Sequence, residues 1–131
     1  QVLWARYGAE QAEYDKHNKI ESNKTVVIAY VASEAVGCGC FKLFDQSSIE
    51  IKRMYVSPSH RGKGIALAII KELEEWAIEK GFCRAVLETG VRQPEAIAVY
   101  NKAGYSEIPN FGPYAAIKSS VCMSKTLSTP Q

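Results

Sequence analysis

The chain has 131 residues, 47% of them hydrophobic and 23% charged, which suffices for a single domain over residues 1–131 with one core and leaves no room for a separate substrate domain. Sixteen Lys and Arg against fourteen Asp and Glu give a net charge of +2, too slight to make nucleic acid or an anionic membrane the main partner, so the expected ligand is small. No apolar run approaches the ~20 residues that cross a bilayer, and the start has neither a basic n-region nor a continuous apolar h-region, so a soluble cytoplasmic protein is expected.

Residues from about 9 to 20 carry helix formers and few breakers, predicting a helix that could line a substrate cleft, and Glu21-Ser22-Asn23-Lys24 reads as a polar connection. Thr25 to Ala32 is rich in Val, Ile and Tyr. Ala35 to Phe44 alternates through Val36, Cys38, Cys40 and Lys42, so Ser33-Glu34 is the expected turn of a hairpin. After a second turn at Asp45-Gln46-Ser47-Ser48, strict alternation would put Ile49, Ile51, Arg53 and Tyr55 on one face of a strand and Glu50, Lys52, Met54 and Val56 on the other.

Ser57-Pro58-Ser59 stops that strand, and a helix is predicted from Ile65 to Lys80. Ala66, Ile69, Ile70, Leu73, Trp76 and Ala77 fall at three-and-four spacing on its apolar face, which makes Trp76 a packing residue. Gly81 supplies the left-handed residue that ends the helix, and Phe82 to Thr89 returns as a strand, giving a right-handed parallel crossover. Pro94 suits the first position of a second helix that ends near Gly104, and 121–127 closes the sheet.

Cys38, Cys40, Cys83 and Cys122 lie in strand-like or apolar segments with no paired Cys-x-x-Cys spacing, while His17 and His60 stand far off in sequence. Reduced core thiols are expected, and no metal site.

The segment Arg61-Gly62-Lys63-Gly64-Ile65-Ala66 joins a β-branched strand to a helix start. Glycines let the backbone approach a ligand, the first helical amides lack partners, and phosphate oxygens satisfy such amides well. The helix dipole contributes only about 0.3–1 kcal/mol for one anion, so affinity needs several amides with Arg61 and Lys63 converging on a diphosphate. A Walker loop would need Gly at Ser57 and Ser or Thr at Gly64, and the dinucleotide fingerprint would need Gly or Ala at Leu67, so neither pattern fits.

This segment resembles the acetyl-CoA loop of the GCN5-related N-acetyltransferase (GNAT) superfamily, Gln/Arg-x-x-Gly-x-Gly/Ala, matched at Arg61, Gly64 and Ala66. Ala96 to Tyr105 is similar to the family's Ala-x-x-x-Tyr-x-x-x-Gly-Phe/Tyr segment, with Tyr100, Gly104 and Tyr105 in place. Leu87-Glu88-Thr89-Gly90, Gln93-Pro94-Glu95-Ala96 and Ile108 to Tyr114 look like a subgroup of small bacterial-type acetyltransferases. The resemblance implies an α/β (α+β) fold, with a central mixed, mostly antiparallel twisted sheet, flanking helices and a splayed strand pair that holds acetyl-CoA. The family's usual first strand and part of its first helix are not evident, and the chain opens on Gln1, so that end is expected to be incomplete.

The resemblance further implies an acetyl-CoA-dependent N-acetyltransferase in which an amine, of a small molecule or a peptide, attacks the thioester directly in a ternary complex. The rival reading is a noncatalytic acyl-CoA-binding regulatory module. Met54, Tyr55 and Val56 with Arg61, Gly62, Lys63, Gly64, Ile65 and Ala66 are the implied cofactor contacts, the strand supplying main-chain groups to the pantetheine and the thioester carbonyl. Gln93 stands where many members carry a cofactor-contacting asparagine. Tyr100 is the implied proton donor to the departing thiolate, a role that suits a phenol of pKa about 10. Glu50 is the leading candidate base, at the position of the catalytic glutamate of histone-type members, and Glu88 is the second. Phe111 and Tyr114 could wall the acceptor pocket, and subunit pairing is common in the family.

Overall fold

The computed structural model describes residues 2–7 and 25–127; the helix predicted over 9–20 and the connection after it lie outside the described residues. Seven strands form one sheet in the order β1-β2-β3-β4-β5-β7-β6. They are β1 (Val2–Tyr7), β2 (Thr25–Val31), β3 (Glu34–Asp45), β4 (Ser48–Val56), β5 (Arg84–Gly90), β6 (Ser106–Ile108) and β7 (Ser120–Thr126). Helix α1 (Ile65–Glu79) connects β4 to β5, and α2 (Pro94–Lys102) follows β5. Every pairing is antiparallel except β4 with β5, where the α1 crossover demands a parallel neighbour.

A first strand is present, contrary to expectation. β1 pairs antiparallel with β2, Val2 to Val31 through Tyr7 to Val26. Its Arg6 is held by α1: Nε donates to Glu72 at 2.6 Å, Nη1 donates to Glu79 at 2.8 Å, and the guanidinium lies 5.0 Å from the Trp76 ring centre. A single mixed Leu-Trp-Ala-Arg stretch gives little periodic signal, so the strand is fixed by these distant partners.

The β2–β3 turn falls one place earlier than predicted, on Ala32 and Ser33 (φ +52° and +69°), with Glu34 already paired to Val31. Two consecutive positive φ values match the twist of a two-residue hairpin, and twist prevails over the residues' own reluctance to adopt them. The β3–β4 turn is Gln46 and Ser47, closed by the Ser47 amide donating to Asp45 at 3.0 Å.

Strict alternation along β4 fails at Arg53, whose φ is +58°. Cys40 is opposite Lys52 and Cys38 is opposite Tyr55, so Gly39 faces two residues and the strand bulges. Beyond the bulge the faces exchange. Met54 and Val56 join Ile49 and Ile51 on the face covered by α1, while Tyr55 joins Glu50 and Lys52 on the other, correcting the predicted grouping. Two glycines of β3 admit the close packing: a Cβ on Gly39 would lie 2.5 Å from Met54 Sδ and 2.9 Å from Ile69 Cγ2, and one on Gly37 would lie 3.0 Å from Ile69 Cδ1.

The core forms between that face and the helices, with Ile49, Ile51, Leu87 and Met123 from the sheet and Ile65, Ile69, Ile70, Leu73 and Ala77 from α1. Each such aliphatic side chain larger than alanine contributes roughly 1.5–3 kcal/mol. Trp76 packs edge-on against Phe41 at 5.9 Å, as its helical spacing requires. Gly81 (φ +97°) ends α1 and Gly104 (φ +102°) follows α2, both as expected. The apolar face of α1 also carries one buried carboxylate that periodicity gave no reason to expect. Glu74 accepts from Tyr105 Oη and from Lys125 Nζ, each at 2.9 Å, and so joins α1 to the chain after α2 and to β7. Strand β6 was not foreseen either, three residues being too few to show a period.

Candidate active site

β4 and β5 pair only from Ser48 with Arg84 to Ile51 with Leu87. β4 nevertheless continues to Val56 and β5 to Gly90, each still paired on its outer side, with β3 and β7. The two strands therefore diverge beyond Ile51 and Leu87, and the inner edge of β4 turns main-chain groups into the gap. Ser57 N donates to Val36 O at 2.8 Å, so alternation turns the Val56 N–H and C=O the opposite way, away from β3.

The turn after β4 lies at the mouth of this gap. Pro58–His60 forms a 3₁₀ turn, and the His60 ring is tied down by Ser57 Oγ at 3.0 Å and Ser59 Oγ at 3.1 Å. Arg61 Nε donates to the Val56 carbonyl at 2.9 Å, with its guanidinium 5.7 Å from the Tyr55 ring centre. Part of the Arg61 side chain is thus already committed to the strand end. Gly62 and Gly64 have φ of +76° and +81°, and nothing lies within 4 Å of where either Cβ would stand. The backbone there is bare on its outer side, and Lys63 between them is exposed. Gly64 caps α1 and accepts from Ala68 N at 3.1 Å, leaving the first amides of the helix to face the turn. The side chain of Ile65 is buried in the core, so only its main chain faces the turn.

Tyr100 reaches the core from α2 and is 8% exposed. Its ring meets that of Tyr105 edge-on at 6.2 Å. Burial, and then the Glu88 carboxylate, raise its phenol above the usual range. Glu88 sits on β5 one residue past the last β4–β5 pair, on the sheet face away from α1.

That far face gathers the carboxylates. Glu50 is 6% exposed and accepts from Tyr114 Oη at 3.4 Å, while Lys52 Nζ lies 3.9 Å from Glu50 and 3.4 Å from the Tyr114 hydroxyl. Glu88 accepts from Ser120 Oγ at 2.7 Å and stands opposite Cys122 in the β5–β7 register. Burial raises the Cys122 thiol, and the negative charges of Glu88 and Glu50 add to the shift. Phe111 and Tyr114 meet edge-on at 5.6 Å, and Phe44 packs on Phe111 at 5.0 Å. The loop holding them is braced by Asn110, whose amide donates to the carbonyls of Tyr114, Ile117 and Ser120.

A profile of the acetyltransferase (GNAT) family matches residues 2–105. The chain belongs to the GNAT acetyltransferase family. The IAA acetyltransferase of Azospirillum brasilense is 35% identical over 102 residues, which are 77% of this chain and 67% of that protein. A Klebsiella pneumoniae structure provisionally described as an acyl-CoA N-acyltransferase superposes with a TM-score of 0.83 at 29% identity, covering 98% of this chain and 99% of its own. The PaiA N-acetyltransferase of Thermoplasma acidophilum, solved with coenzyme A, shares the fold with a TM-score of 0.71 at 19% identity, over 89% of this chain and 70% of that one.

As a GNAT-family N-acetyltransferase the protein has a fold whose members use acetyl-CoA, and the open, positive-φ glycines of its turn fit a diphosphate that must approach the backbone closely. The residues able to hold the cofactor are Arg61 to Ala66 at the turn and Met54 to Val56 along the gap. Gln93 caps α2 by its main chain, accepting from Ile97 N at 3.1 Å, and its exposed side chain makes no capping bond. No helix among the described residues is long and apolar enough to cross a membrane. Of the expected site residues, the fold brings Glu50, Glu88, Phe111 and Tyr114 to one face, while Tyr100 is buried in the core on the helix side and feels the Glu88 charge. Lys52 was missed as a member of this group. Its position two residues from Glu50 on a strand was the available signal.

Proposed function

We propose that this protein transfers an acetyl group from acetyl-CoA to an amine by direct attack within a ternary complex. The divergence of β4 and β5 beyond Ile51 and Leu87, with the buried Tyr100 phenol under the influence of Glu88 on the unpaired end of β5, carries this reading. Acetyl-CoA bound there would supply the activated thioester carbonyl. The glycine turn and Arg61 hold its diphosphate, and the Val56 amide, facing the gap, is placed to stabilise developing negative charge on the carbonyl oxygen.

Glu50 receives the proton that the attacking amine must shed, and Tyr100 gives one to the departing sulfur. As the nitrogen–carbon bond forms the carbon–sulfur bond breaks, so the two proton transfers leave a neutral amide and a free thiol. Tyr100 suits its part because burial and Glu88 keep its phenol protonated. A covalent route through Cys122 is disfavoured, since its thiol is raised and no histidine is hydrogen-bonded to it among the described residues.

The test is a thermal shift with acetyl-CoA, followed by thiol release over a broad panel of amines. The expected results are a raised Tm and acetyl-CoA-dependent thiol release. Neither a shift nor release with any amine would overturn the reading, and a shift without release would leave only acyl-CoA binding.

A further inference from the structure

Glu50 is a nearly buried carboxylate that, among the described residues, accepts a single hydrogen bond, at 3.4 Å from Tyr114. A buried carboxylate has room for about four such bonds. Lys52, two residues on along the same face, is equally underused: its ammonium has three donors, and among the described residues it makes one hydrogen bond, to the Tyr114 hydroxyl at 3.4 Å. The two charges stand 3.9 Å apart with the Tyr114 hydroxyl 3.4 Å from each, too far for a direct hydrogen bond and near enough to recognise opposite charges on two groups borne by one carbon atom. Beside them lies the Phe44, Phe111 and Tyr114 cluster.

We propose that the acceptor is a free α-amino acid with an aromatic or large apolar side chain, and that Lys52 is the residue that selects it. The amine goes to Glu50, the adjacent carboxylate to Lys52, and the side chain against the aromatic cluster. Lys52 is suited to this because its side chain is only 32% exposed, so a charge-assisted bond to a carboxylate is less screened than on an open surface. Plain alternation before the Arg53 bulge puts Lys52 on the face of Glu50, just past Ile51, the last β4 residue paired with β5. A peptide amino terminus carries an amide where Lys52 requires a carboxylate, and a simple amine carries nothing there.

The inference rests on the acetyltransferase reading above, and the assay separates the two. L-Phenylalanine, L-phenylalaninamide and 2-phenylethylamine are compared with acetyl-CoA by thiol release, using wild type, Lys52→Met and Lys52→Arg. Binding of L-phenylalanine to the coenzyme A-loaded protein is followed by calorimetry. Wild type is expected to prefer phenylalanine over both analogues at least tenfold in kcat/KM, chiefly through KM. Lys52→Met brings that ratio close to one and abolishes the calorimetric binding, and Lys52→Arg restores most of both. Equal use of the three acceptors by wild type, or a preference that survives Lys52→Met, overturns the inference and leaves acetyl transfer standing. So does transfer to other amines with none to phenylalanine. Absence of acetyl-CoA binding and of transfer to any amine removes both.

Discussion

Arg61 donates its Nε to the carbonyl of Val56 at 2.9 Å, which ties the glycine turn to the end of the strand lining the gap. The phosphate end and the thioester end of the proposed cofactor site are thereby held in one rigid piece. Replacing Arg61 with Met removes both this tie and a cation at the turn. A charge-assisted hydrogen bond contributes about 1.5–3 kcal/mol, and each 1.4 kcal/mol is tenfold in affinity, so the acetyl-CoA Kd should rise about tenfold or more by calorimetry. A Kd within twofold of wild type would remove Arg61 from the site.

Tyr100→Phe should lower kcat by about two orders of magnitude, the lower end of what a positioned proton donor supplies, and leave the acetyl-CoA Kd nearly unchanged. Because burial and the Glu88 charge both raise the Tyr100 phenol, the wild-type kcat profile should show no fall from Tyr100 ionisation below about pH 10. A Glu88→Gln variant lowers that phenol towards its usual value, moving any alkaline limb to lower pH. A limb that does not respond to Glu88→Gln belongs to another group.

Glu50→Gln should reduce kcat/KM most at low pH, where the amine is protonated and a base is most needed, and the loss should shrink as pH approaches the pKa of the amine. Tyr114→Phe should act in the same direction and more weakly, since it removes one hydrogen bond from Glu50. A pH-rate profile of both variants with one amine decides the matter; a uniform loss at every pH would make Glu50 a binding residue.

Gly39→Ala tests the packing of β3 under α1. The added carbon would meet Met54 Sδ at 2.5 Å and Ile69 Cγ2 at 2.9 Å, and overpacking of this kind costs about 1–3 kcal/mol. Urea denaturation should show a lower midpoint with an unchanged slope. Because Met54 lies on the strand bordering the gap, acetyl-CoA affinity should fall as well.

Tyr105 links stability to alkaline pH. Burial first, and then Glu74, raise its phenol far above the ordinary value, so the folded protein keeps this proton after unfolded chains have lost theirs. The folded state then binds more protons than the unfolded one. The stability this residue confers is complete below about pH 10 and is lost as pH rises beyond it. Tyr105→Phe should cost about 1–3 kcal/mol at neutral pH through the hydrogen bond taken from Glu74, and should make denaturation midpoints less sensitive to pH between 9 and 11.

The strand, glycine turn and helix around Arg61 were legible in the sequence because each rests on near neighbours. A β-branched run, two glycines where φ must be positive, and apolar residues at three-and-four spacing all act within a few turns of chain. The same holds for Pro94 at the start of α2 and for Gly81 and Gly104 at the helix ends. β1 and β6 escaped because a six-residue strand of mixed character and a three-residue strand are stabilised by what they pair with.

By itself, then, the sequence determined the family, the glycine turn after β4 and the helix that carries Tyr100. Only the tertiary structure decided that the Arg53 bulge would exchange the faces of β4, that Glu74 would be buried between Tyr105 and Lys125, and that Tyr114 would reach Glu50 across 64 residues of chain. Turns and caps are set by local torsions and nearby hydrogen bonds. Register, bulges and buried polar contacts are set by how whole elements pack, so no stretch of sequence carries them alone.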